Sequence, residues 1–182
     1  MIEKSRPTYQ GCQKVIIFDG PDGCGKTNIG QEISRITNIP YYKNHDEHRY
    51  FESDPSYFIS AVRYVDRYFT GYLETSGASV ILDRAWPSEW IYSKVMQRET
   101  DYEVLRELDN RHAKLGTYIV IPFRTDYSCV TDTYEVLEKK IGVIDQLYIE
   151  FAKWSNCKIL KLNVDDENLE REVAEVLNFI QN

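Results

Sequence analysis

The sequence predicts an α/β fold in which a five-stranded parallel sheet is flanked by helices on both faces. Five short, largely β-branched apolar runs alternate with longer stretches of helical periodicity. Three of the runs close on polar or turn residues, Asp19-Gly20, Asp83-Arg84 and Pro122-Phe123-Arg124, as buried strands do when they deliver side chains at their carboxyl ends. A glycine-rich segment joins the first run to the first helix.

The elements follow in order. Lys14 to Phe18 is the first strand, and Lys26 to Thr37 is a helix whose Ile29, Ile33 and Ile36 mark a buried face before Pro40 stops it. Ile39 to Lys43 reads as a short second strand. A long helix from about Pro55 to Leu73 has Phe58, Val62, Val65, Phe69 and Leu73 as its core stripe, with Arg63, Asp66, Arg67 and Thr70 opposite them on a water-facing side. Ser79 to Leu82 is the third strand. Helices over Ser88 to Arg98 and Tyr102 to Leu115 precede the fourth, Tyr118 to Ile121. Asp132 to Trp154 reads as helix with a break near Gly142 and a capping box of Asp132 with Glu135. Lys158 to Leu162 is the fifth strand. Glu167 to Ile180 closes the chain as a helix with Leu169, Val173, Val176, Leu177 and Ile180 on one stripe.

Bulk properties narrow the function classes. A length of 182 residues fits one domain spanning 1–182, and 42% hydrophobic with 28% charged residues is the balance of a globular protein. No apolar run approaches the roughly 20 residues of a membrane span. The polar start MIEKSRPTYQGCQK lacks the apolar stretch of a signal peptide, so a cytoplasmic location is expected. Cys12, Cys24, Cys129 and Cys157 are scattered, which favours independent reduced thiols over a metal site. A net charge of −7 argues against a broad nucleic-acid-binding surface.

Gly20-Pro21-Asp22-Gly23-Cys24-Gly25-Lys26-Thr27 matches G-x-x-x-x-G-K-[ST] in full, between a strand and a helix. Glycines let such a loop wind so that backbone N–H groups converge on phosphate oxygens, aided by the helix N-terminus. Lys26 supplies a cation for β- and γ-phosphates, and the Thr27 hydroxyl can ligate Mg²⁺. The donor site therefore comprises Gly20, Gly23, Cys24, Gly25, Lys26, Thr27 and Asn28. Asp83, at a strand end, suits a metal ligand or a base, and Arg84 a bidentate phosphate contact.

FDGPDGCGKT followed by ILDRAWPSEWIY resembles the thymidylate kinase family and its relatives, the deoxynucleoside kinases, with their F-[ED]-G-x-D-G-x-G-K-[ST] and D-R-x-x-x-S-x-x-x-Y segments. The resemblance implies a closing lid at about 125–140, ATP with Mg²⁺, and a deoxynucleotide or deoxynucleoside acceptor. It implies catalytic roles for Lys26, Asp83, Arg84 and Asp22, with Thr27 and Asp83 at the metal. Acceptor contacts would come from Asp22, Arg63, Arg84, Ser88 and Tyr92. Thymidylate kinases carry a catalytic arginine in the loop, where this chain has Gly23 and Cys24, or in the lid, where it has none. Arg124, Lys139 and Lys140 are the cations nearby.

Seven of the 14 tyrosines fall between Tyr41 and Tyr72, a cluster suited to stacking on a base and equally to ordinary packing. Exposed aromatics could also form a homodimer face. The expected reaction is ATP-dependent phosphorylation of a deoxynucleoside monophosphate. The alternatives are a deoxynucleoside kinase with Asp83 as base, and a non-catalytic nucleotide sensor; a guanine-specific N-K-x-D signature is absent.

Overall fold

The computed structural model describes residues 12–43, 55–128 and 140–181. Five parallel strands, β1 (Val15–Phe18), β2 (Tyr41–Lys43), β3 (Val80–Asp83), β4 (Tyr118–Phe123) and β5 (Lys158–Asn163), lie in the order β2-β3-β1-β4-β5. All four pairings are parallel, with Phe18 level with Asp83 and Val120. The carboxyl ends of β1 and β3 thus open side by side, next to the place where the order reverses. That is where an open α/β sheet binds ligands.

Alternation along β1 builds two cores. Val15 and Ile17 point to one face, where they meet helices α4 (Trp86–Met96), α5 (Tyr102–Lys114) and α6 (Ile141–Trp154) through Trp86, Trp90, Leu105, Leu108, Tyr148 and Phe151. Ile16 and Phe18 point to the other, against α1 (Lys26–Thr37) and α7 (Leu169–Gln181) through Ile29, Ile33, Val173, Val176 and Ile180. Helices cover both faces, as the sequence predicts. Ile36 and Leu169, expected in the core stripes, are 46% and 39% exposed, so each stripe is one residue narrower at its end. Among the described residues, no helix is long and apolar enough to cross a membrane.

The long helix before β3 departs most from expectation. It runs to Ser76 in three parts: α2 (Pro55–Ser60), a π-helical segment (Ala61–Asp66) and α3 (Arg67–Ser76), ended by Gly77 in the left-handed region at φ 65°. A π turn closes i→i+5 hydrogen bonds and takes in about one extra residue, which rotates the remainder of the helix about its axis. Val65 is consequently 56% exposed, whereas Asp66 and Thr70, expected at the surface, are buried. The capping box of Asp132 with Glu135, and most of the expected lid, lie outside the described residues.

Candidate active site

The Gly20–Thr27 loop sits where β1 hands over to α1. Gly23 and Gly25 have φ of 75° and 68°, a conformation nearly closed to other residues, and this turns successive N–H groups into one concavity. A Cβ on Gly20 would lie 2.8 Å from the Pro122 carbonyl oxygen, so glycine is required where the loop crosses β4. Gly25 caps α1 without a side-chain bond, leaving the helix N-terminus open toward the loop. Lys26 is buried and folds back, its Nζ donating to Gly20 O at 2.9 Å and Pro21 O at 2.7 Å. Burial and the Arg84 charge lower its pKa. Asn28 lies exposed in the first turn of α1. Cys24 turns its side chain into the core beneath the loop, with Tyr127 3.9 Å from its sulfur, so only its backbone can serve a phosphate.

Asp83 projects from the end of β3. Its Oδ2 accepts from Thr27 Oγ1 and from Tyr41 OH, both at 2.6 Å. Two hard oxygen ligands at the mouth of a phosphate loop fit Mg²⁺, which commonly takes only one or two protein ligands and completes its octahedron with phosphate and water. Among the described residues no cluster of three or more His, Cys, Asp or Glu forms a self-sufficient metal cage.

Arg84 is the hub. It is one of the few non-glycine residues at positive φ, 66°, and its N–H donates to Phe18 O at 2.8 Å, pinning the corner after β3 to β1. Its guanidinium pairs with Asp22, lies 3.8 Å from Asp19, and donates to Ser88 Oγ at 3.1 Å and Tyr92 OH at 3.5 Å. Burial pushes the Asp22 carboxyl up, but the charges of Arg84 and Lys26 outweigh it and hold the group below its ordinary value. Burial lifts the Tyr92 phenol to about 12. Ser88 and Tyr92 therefore present Arg84.

Asp19, fully buried at the end of β1, completes the network. It accepts from Tyr148 OH at 2.6 Å, Ser88 Oγ at 2.8 Å and Ser88 N at 3.1 Å, and so caps α4, which has no side-chain cap of its own. Burial raises its pKa despite Arg84, Tyr148 and Ser88. Sequence reasoning missed this role, though an acid directly before Gly20 was its signal. Tyr148 carried no signal, because its partner is 129 residues away. Arg124 donates to Gly23 O at 3.1 Å and pairs with Glu167 at 2.9 Å, placing one of the three nearby cations on the loop. Lys140 instead donates to Val95 O, and Lys139 lies outside the described residues.

Arg63 is not brought to this network. Half exposed, it pairs at 2.6 Å with Asp101, the cap of α5. Beside the network, between β3, the π segment, α3 and α5, is a cavity of about 280 Å³ whose wall includes Tyr42, Asp66, Phe69, Thr70, Trp86 and His112. Leu82 and Ala85, which flank Asp83-Arg84, also line it. Tyr42 and Phe69 stack with centroids 6.3 Å apart, and among the described residues the Trp86 indole N–H has no hydrogen-bond partner. His112 faces Thr70 Oγ1 at 3.2 Å and Thr117 Oγ1 at 3.0 Å; burial, helped by Arg111, lowers its pKa to about 4 and leaves it neutral at pH 7.

The fold has counterparts among solved structures. No family profile and no curated protein matches the chain by sequence. The YorR protein of Bacillus subtilis, solved with phosphorylated GDP, matches at a TM-score of 0.66 and 18% identity, over 92% of this chain and 95% of that one. Deoxyadenosine kinase from M. mycoides with bound dATP matches at 0.58 and 19%, over 93% and 100%. Thymidylate kinase from Ehrlichia chaffeensis matches at 0.54 and 16%, over 91% and 98%. The chain has the fold of the P-loop nucleotide and nucleoside kinases.

Proposed function

We propose that the protein is a phosphotransferase that moves the γ-phosphoryl group of ATP to a deoxynucleoside monophosphate. The observation that carries this reading is the shared corner: Asp83 and Arg84 contact the phosphate loop through Thr27 and Asp22, while their neighbours Leu82 and Ala85 line the aromatic cavity. A triphosphate in the loop and a ring in the cavity would then meet at Arg84. In the transfer, the bond from Pγ to the β,γ-bridging oxygen breaks, an acceptor phosphate oxygen bonds to Pγ, and ADP leaves. That oxygen is already a nucleophile, so no base is needed; catalysis is positioning and charge neutralisation. Lys26 and Arg84 supply cations, and Arg84 is held ready by Asp22, Ser88 and Tyr92. Thr27 and Asp83 would hold Mg²⁺, which when bound offsets charge on the β- and γ-phosphates.

One observation favours a nucleoside acceptor instead. Asp22 lies against both Lys26 and Arg84, and Asp19 against Arg84, so both cations carry carboxylate partners before an acceptor arrives, a balance more congenial to an uncharged hydroxyl than to a second phosphate. ADP release measured with the four deoxynucleoside monophosphates and the four deoxynucleosides, with Lys26→Ala as control, separates the two. Turnover with monophosphates is expected. Turnover with nucleosides alone transfers the assignment to the second reading, and nucleotide binding without acceptor-dependent turnover overturns both.

A further inference from the structure

We propose that Tyr41 is a positioning residue of the metal site: its hydroxyl holds the Asp83 carboxylate in the orientation that, together with Thr27, receives Mg²⁺. The inference deepens the kinase reading and rests on it for the metal. It starts from β2, the short strand at the edge of the sheet. Parallel pairing sets Tyr41 level with Ile81, Tyr42 with Leu82 and Lys43 with Asp83. Successive side chains leave a strand on opposite faces, so the two tyrosines part. Tyr42 goes with Leu82 to the cavity, and Tyr41 packs on the other face against the core that α1 covers. Asp83 shares that face with Ile81, two residues further on, and the Tyr41 hydroxyl donates to its Oδ2 at 2.6 Å.

Helix α1 makes room for the ring. Gly30 lies inside the helix, where glycine is among the least favourable residues, and a Cβ there would come 2.9 Å from Tyr41 Cε2. Thr27, in the first turn of the same helix, donates to the same Oδ2 at 2.6 Å. One donor leaves a carboxylate at a strand end free to turn about its side-chain bonds; two, from different elements, fix its plane. Thr27 uses its single proton on that bond, so its lone pairs are what it has to offer a metal. Both described bonds to Asp83 fall on Oδ2, which leaves Oδ1 as the oxygen for the metal or for a water bound to it. Tyr41 thus acts through Asp83. Partners that orient a metal ligand in this way typically cost about 10- to 100-fold in metal affinity or activity when removed.

The test measures binding of the β,γ-imido analogue of ATP by calorimetry, with Mg²⁺ and with EDTA, in the wild type, Tyr41→Phe, Asp83→Ala and the double variant. Mg²⁺ should tighten wild-type binding, and Tyr41→Phe should remove about tenfold of that gain while leaving the affinity in EDTA unchanged. Asp83→Ala should remove the gain as well, and adding Tyr41→Phe to it should cost nothing more, because the two act as one unit. A gain that survives in Tyr41→Phe overturns the inference, as does a loss of equal size in EDTA, an additive double variant, or a wild type whose binding ignores Mg²⁺. Should Tyr41→Phe fail to fold, Gly30→Ala, which keeps the hydroxyl and crowds the ring, is read in the same way. None of these readouts needs turnover. If no acceptor is phosphorylated, the kinase reading fails, and the Mg²⁺-linked gain still decides the part played by Tyr41.

Discussion

The Gly20–Thr27 loop and the helix before β3 are built on opposite principles. The loop is local: eight consecutive residues supply its glycines, its cation and its hydroxyl, and its conformation follows from their types. The helix wall is non-local and depends on register. One extra residue in a turn buries Asp66 and leaves Val65 half exposed, although both line the cavity, and no residue type announces it. The loop is therefore written in a motif, while the cavity wall is written in a rotation.

The largest effect should fall on the loop. Lys26→Ala is expected to cut turnover by about 10³-fold, the loss typical of a charge-stabilising group, without lowering the melting temperature, because it removes a buried ammonium whose pKa burial lowers. An unchanged rate in an ADP-release assay would break the contrast from the donor side.

In the cavity wall, buried neutrality should show as pH dependence. The His112 pKa is about 4 in the folded protein against 6.5 ordinarily. The unfolded chain takes up a proton below about 6.5 and the folded chain does not until about 4, so this group costs stability as pH falls through that window. The full difference is roughly 3 kcal/mol. Chemical denaturation of wild type and His112→Asn between pH 7 and 4 should give curves whose separation changes by about that amount. Parallel curves would mean that the imidazole is not buried as described.

Gly30→Ala probes the seam between the regions. Its Cβ would come 2.9 Å from the Tyr41 ring, whose hydroxyl holds Asp83. A displaced ring should lower turnover several-fold and stability by about 1–2 kcal/mol; unaltered kinetics would show that Tyr41 does not matter to Asp83. The smallest effect is expected at Val65→Ser. Helical spacing marks Val65 as core, but at 56% exposure the change should stay within about 0.5 kcal/mol. A loss above about 2 kcal/mol in a urea melt would restore the unbroken α-helix.

Strand placement was readable because buried parallel strands are short, β-branched and closed by polar residues, and β1, β3 and β4 all satisfy this. Lys26, Thr27, Asp83, Arg84, Ser88 and Tyr92 were singled out from two short segments; the structure joins Lys26, Arg84, Ser88 and Tyr92 through Asp22, and pairs Thr27 with Asp83 beside them. Asp19 was half readable, as a strand-terminal acid whose partners come from α4 and α6. Arg63, expected among the acceptor contacts, pairs instead with Asp101 in the structure, a contact between two helices that spacing along one of them does not announce. Tyr41 was grouped with the other tyrosines by composition, and only the pairing of β2 with β3 brings its hydroxyl to Asp83.

The folded-back ammonium of Lys26 has a kinetic consequence. Two carbonyls already accept from it, so in the proposed reaction an arriving triphosphate would not meet a bare cation; it would have to compete with Gly20 and Pro21 for it. Net attraction in the resting complex is reduced by the bonds exchanged, and the departing diphosphate is released against a lysine with somewhere else to go. Weaker holding of both ends of the reaction leaves turnover less limited by escape of product.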